Sequence, residues 1–130
     1  MCLRNISIFS SAFVWAAFVL AAVLLFAPSV MAIEPGHITP EEGKELIEQK
    51  KDLLILDARN PNEYVTVHYP NALNIPVNEL ETRLSEVPAD KPVLVHCALG
   101  KRSERAYFIL KEKRPDIKEL YHIDGAPIFD

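Results

Sequence analysis

The chain has 130 residues, with 14 Lys+Arg against 18 Asp+Glu and only two cysteines. That length fits one domain, and the net charge of −4 speaks against nucleic acid as a partner. Cysteines at positions 2 and 97 alone leave no disulfide framework to hold a small fold.

Residues 1–32 predict a cleavable signal peptide. Arg4 is the only charge before Glu34, and an unbroken apolar run spans Ala12 to Ala27. Val30 and Ala32 then supply small residues for a cut between Ala32 and Ile33. The run is shorter than the ~20 residues a spanning helix needs. An uncleaved membrane anchor is the alternative. Either way the domain is exported, with Arg4 left inside, and a periplasmic location is expected. Removing 32 of 130 residues leaves 98, residues 33–130, and losing Arg4 leaves a net charge of −5. Cys97 then becomes the sole thiol, which marks it for attention.

"ITPEEGKELIEQKK" opens a helix, with Thr39 as cap, Pro40 at the first helical position and Glu42 closing a capping box. "DLLILDAR" has the length and apolar content of a buried strand, ending at Asp57 and Arg59. Asn60-Pro61-Asn62-Glu63 starts a short helix, and "ALNIP" is a second strand stopped by Pro76. From Asn78 the spacing of Leu80, Leu84 and Val87 predicts an amphipathic helix through "ELETRLSEV". "VLVH" is a third strand. "SERAYFILKEKR" is helical, with Ala106, Ile109 and Leu110 inward and Pro115 ending it. "KELYHI" is the last strand, closed by Asp124-Gly125. This alternation predicts an α/β fold: a central, mostly parallel sheet with helices on both faces. Ligands of such sheets sit at the carboxyl ends of the strands. Asp57 and Cys97 both fall at strand ends and so share one edge.

Cys97 lies between the third of these strands and a helix, in "HCALGKRS". The N–H groups of the turn Ala98-Leu99-Gly100 and of the helix start near Ser103 point back toward its sulfur. Lys101 and Arg102 add two cations, and Gly100 permits a tight turn. Cysteines in such settings have pKa values of roughly 3.5–7.5, so an ionised nucleophile near neutral pH is expected.

The loop "CALGKRS" resembles the active-site loop of rhodanese sulfurtransferases, a Cys-x-x-Gly-x-Arg/Ser pattern. "LLILDARNPNEY", "VHYPNALNIP" and "YHIDGA" resemble further segments of that family in the same order, so the similarity runs from residue 37 to 126. The small exported single-domain members of the phage-shock type look most similar. Val67 and Asn71 stand where the family usually has glycines, and Ala126 replaces a second closing glycine.

The resemblance implies a rhodanese-like fold and a thiosulfate sulfurtransferase. Cys97 would carry a sulfane sulfur as a persulfide and pass it to cyanide or a thiol. Ala98, Leu99, Gly100, Lys101, Arg102 and Ser103 would form the substrate-binding loop, and Asp57 with Arg59 would brace the site's edge. It implies no cofactor. The histidines show no metal-ligand spacing with Cys97, so no metal is expected. His96 points away from the Cys97 side by strand alternation, and His68 is expected to be structural. The partners are a sulfur donor and a thiol acceptor, not nucleic acid, and the membrane only if the leader stays; a monomer is expected. Two other readings remain open. A non-catalytic sulfur carrier would use the same loop. A cysteine-dependent phosphatase or arsenate reductase would place five residues between Cys and Arg, where this chain has four, Ala98 to Lys101.

Overall fold

The computed structural model describes residues 31–129. The leader expected over 1–32 lies outside the described residues, apart from Met31 and Ala32.

Five strands form one sheet in the order β1-β5-β4-β2-β3. They are β1 (Gly36–Ile38), β2 (Leu54–Asp57), β3 (Leu73–Asn74), β4 (Val93–His96) and β5 (Leu120–Ile123). Every pairing is parallel. Three helices connect them: α1 (Pro40–Gln49), α2 (Pro61–Thr66) and α3 (Lys101–Lys113).

The local signals explain most of these bounds. Thr39 accepts the Glu42 N–H at 3.2 Å while Glu42 accepts the Thr39 N–H at 2.7 Å, the capping box that starts α1. In α2 the Glu63 carboxylate takes the Asn60 N–H at 3.1 Å, at a helix end that favours negative charge. Alternation along the strands divides the core. Leu56, Val93, Val95 and Leu120 face Ala106, Tyr107 and Leu110 of α3. Leu94, Tyr121 and Ile123 face Leu46 of α1. On the same side Ile55 packs with Tyr69, Ala72 and the half-buried Tyr64 of α2. A Cβ on Gly43 would fall 2.6 Å from the Ile123 side chain, so the missing side chain lets α1 lie close on β5.

The structure departs from the sequence reading at three places. β1 was not expected; it is three residues long and exists through its pairing with β5. The helix expected after Asn78 is instead two 3₁₀ turns, Leu80–Thr82 and Leu84–Glu86. Arg83 between them has φ −122° and ψ 19°, outside helical geometry. The Arg114 guanidinium takes the carbonyls of Leu84 and Val87 from across the core, the latter at 2.6 Å, and gives the turns an end. Leu80 and Val87 are buried as the spacing predicted. In α3 the buried side chains are Ser103, Ala106, Tyr107 and Leu110, with Ile109 only half-buried.

Candidate active site: the loop after β4

Cys97 follows β4 directly and continues the side of the sheet carrying Val93 and Val95. It is 1% exposed, at the floor of a turn that runs straight into α3. Gly100 makes that turn with φ +94°. A Cβ there would fall 2.8 Å from the Gly125 N, so the glycine serves both the left-handed backbone and the close approach of the chain leaving β5.

Four donors surround the sulfur. The Gly100 N–H reaches Sγ at 3.2 Å and the Ser103 hydroxyl at 3.4 Å. Burial pushes the Cys97 thiol up. The Ser103 hydroxyl and the N–H groups of Ser103, Leu99 and Gly100 pull it down and together outweigh burial, so the thiol lies below its ordinary value. The sulfur is thus held where an anion is stabilised by fixed backbone dipoles rather than by water.

The two cations of the loop stand in different surroundings. Lys101 has a side chain 90% exposed, with Glu104 at 3.7 Å, and it faces solvent. Arg102 donates to both oxygens of Glu63, at 2.6 and 2.8 Å. Its pKa is raised first by those bonds and only last by Cys97, so it lies beside the sulfur but is already paired. Ala98 is half-buried, while Leu99 stands 78% exposed at the loop's tip. Ser103 is buried and also donates to the Gly100 carbonyl at 2.9 Å.

Asp57 and Arg59 reach the same sheet edge but on the opposite side from Cys97. Asp57 stands in register with His96, and its carboxylate is gripped by Arg59 Nε at 2.9 and 3.0 Å and Nη2 at 2.6 Å. Arg59 also donates to the Val67 carbonyl at 2.7 Å, and Asn74 donates to the carbonyls of Asp57 and Arg59. This pair braces the connection from β2 to α2 and is not among the groups that donate to the sulfur. His96 is buried on the same side, 3.7 Å from Asp57, as strand alternation predicted. The missing glycines are absorbed locally. Val67 is extended at φ −156°, and Asn71 takes the left-handed region at φ 61°, which asparagine tolerates.

Two residues beside the site were not singled out from the sequence. Glu63 is one. His122 is the other: it is buried, and its Nε2 lies 3.0 Å from the Gly100 carbonyl. The register of β4 and β5 pairs His122 with Val95, which puts it on the Cys97 side. Among the described residues no group of three His, Cys, Asp or Glu is placed to hold a metal ion.

A family model described as the rhodanese-like domain matches residues 39–126. The chain belongs to the rhodanese-like domain family. It is 32% identical over 78 residues to a sulfurtransferase of Allochromatium vinosum, covering 60% of this chain and 73% of that one. It is 37% identical over 72 residues to the uncharacterized protein YqhL of Bacillus subtilis, covering 55% of this chain. The chain spans 56% of YqhL's length. The human single-domain sulfurtransferase TSTD1 superimposes with a TM-score of 0.56 at 26% identity, covering 69% of this chain and 89% of that structure. The chain therefore has the rhodanese-like fold, a parallel sheet with helices.

Proposed function

We propose that this rhodanese-like domain is a thiosulfate sulfurtransferase that carries sulfane sulfur on Cys97. One observation carries the reading: a buried cysteine sulfur with three backbone N–H groups and the Ser103 hydroxyl directed at it, and a thiol lowered despite burial. The Cys97 thiolate attacks the outer sulfur of thiosulfate. A new S–S bond forms to Cys97, the old S–S bond breaks, and sulfite leaves with its electron pair. The charge now rests on the persulfide's outer sulfur, and the loop's dipoles stabilise it without reorganising. Cyanide, or a thiolate acceptor, then attacks that sulfur and restores the Cys97 thiolate. The sulfur donor and acceptor are its partners, it acts as a monomer, and no step calls for a cofactor.

The loop length supports this reading over a phosphatase: four residues, Ala98 to Lys101, separate Cys97 from Arg102, one fewer than the phosphatase pattern, so the cradle around the sulfur is smaller. The domain would work outside the cytoplasm after removal of residues 1–32, a reading that rests on the sequence of the leader alone. Intact-mass analysis after thiosulfate treatment tests the function: one sulfur atom should be gained and then lost to cyanide. A chain that gains sulfur but releases it neither to cyanide nor to small thiols would be a carrier. N-terminal sequencing of the exported protein tests the cut before Ile33.

A further inference from the structure

The Gly100 carbonyl has more donors than it can use. The Glu104 N–H reaches it at 2.8 Å, the Ser103 hydroxyl at 2.9 Å and His122 Nε2 at 3.0 Å. A carbonyl oxygen offers two lone pairs, so one donor is in excess. The Glu104 N–H is fixed in the first turn of α3. The buried His122 ring is held edge-on against His37, with centroids 4.9 Å apart, and lies 6.0 Å from the Tyr107 ring. Only the Ser103 hydroxyl can rotate away, and its other neighbour is the Cys97 sulfur.

The tautomer of His122 follows from its partners. The Gly100 carbonyl can only accept, so Nε2 carries the hydrogen. Nδ1 is buried without a partner. A bare acceptor nitrogen costs less there than an orphaned N–H. His122 therefore acts as a fixed donor to the backbone of the nucleophile loop.

We propose that His122 is a positioning residue: by holding the Gly100 carbonyl it releases the Ser103 hydroxyl to turn onto the Cys97 sulfur whenever that sulfur is anionic. With Cys97 protonated, its S–H donates to Ser103 Oγ and the Ser103 O–H donates to Gly100. When the thiol proton passes to bulk water, the Ser103 O–H swings to the thiolate. The Gly100 carbonyl keeps the Glu104 N–H and His122 Nε2–H, so nothing is left unpaired. Without His122 the carbonyl would compete with the sulfur for the same hydroxyl.

This inference rests on Cys97 as the nucleophile, but its test needs no sulfur transfer. The rate of Cys97 alkylation by iodoacetamide, followed against pH on the Cys97 peptide by mass spectrometry, reports the thiolate alone. His122→Phe should move the half-point up by about one pH unit, and Ser103→Ala should do the same. The double variant should move it no further than Ser103→Ala. His122→Gln, whose amide can donate to Gly100, should stay within a few tenths of a unit. Additive shifts in the double variant would overturn the proposal, because His122 would then act without Ser103. A His122→Gln shift as large as that of His122→Phe would also overturn it. Should His122→Phe fail to fold, His122→Leu replaces it. A chain that follows the expected pattern yet gains no sulfur from thiosulfate supports the positioning role and overturns only the transfer reading.

Discussion

Arg102 and Glu63 face each other in a two-pronged ion pair, 2.6 and 2.8 Å, that ties the first turn of α3 to α2 beside the Cys97 loop. The bonds from Arg102 hold the Glu63 carboxyl down at about 2, against the opposing effect of burial. The pair therefore persists at any pH where the domain would work. A guanidinium so occupied attracts a dianion less than a free one. Glu63→Gln should raise kcat/KM for thiosulfate by about three- to tenfold. Arg102→Ala should lower it by about tenfold or more, since it leaves the Glu63 carboxylate unpaired beside the sulfur. Steady-state kinetics with thiosulfate check both. A fall for Glu63→Gln would mean that Glu63 holds Arg102 in its working position.

Cys97→Ser should remain folded, because a hydroxyl fits the sulfur's place and can use the same donors. It should show neither sulfur loading nor turnover, since a serine hydroxyl is far from ionised near neutral pH. Intact mass and circular dichroism on the one sample decide it. Sulfur loading that persists in this variant would place the chemistry on another residue.

The pH profile of loading follows from the lowered thiol. The thiolate is the reactive form, so the rate should rise with pH and level off above the thiol's pKa. Because Ser103 and three N–H groups outweigh burial, the half-point should lie below that of a free cysteine measured beside it. A half-point above the free cysteine would show that burial dominates.

Gly100→Ala should damage stability and loading together. It forces a side chain into φ +94° and sets a Cβ 2.8 Å from the Gly125 backbone. A cost of about 1–3 kcal/mol is expected for the backbone strain, seen as a lower midpoint in urea unfolding. The loop N–H groups should also lose their aim, so sulfur loading should slow even in the folded fraction.

His96 gives a pH dependence of stability. Burial lowers its pKa from 6.5, the Arg59 charge adds to the effect, and the Asp57 charge opposes it. Its ring lies 5.2 Å from that of Tyr69 and 5.8 Å from that of Phe129. As pH falls through 6.5 the unfolded chain binds a proton that the native ring refuses, so stability falls with it. The melting temperature should drop between about pH 7 and pH 5. His96→Gln should flatten that slope if the variant folds. An equal slope would assign the dependence to other groups.

The parts legible in the sequence are those set by near neighbours. The helix-start signals at Thr39 and Asn60 each need only four residues, and both mark true helix starts. The strand-to-helix turn at Cys97 fixed the aim of the N–H groups without any distant contact. What escaped depends on tertiary pairing. β1 is too short to hold itself and needs β5. The segment Leu80 to Val87 has helical spacing, yet Arg114, far along the chain, takes its carbonyls. The Arg102–Glu63 pair escaped because Glu63 sits 39 residues away and on another helix. His122 enters the site only through the register of β4 and β5.

The strand order has a consequence for how the site matures. β5 lies between β1 and β4, yet it is the last of the five described strands to leave the ribosome. Both groups that pin the nucleophile loop from outside, His122 and the Gly125 backbone, arrive with it. During synthesis Cys97 is complete well before its surroundings are. The loop is pinned from outside only when β5 pairs with β4 and draws β1 onto the sheet, a non-local step and so a slow one. The finished surroundings of the nucleophile are therefore among the last features of the domain to form.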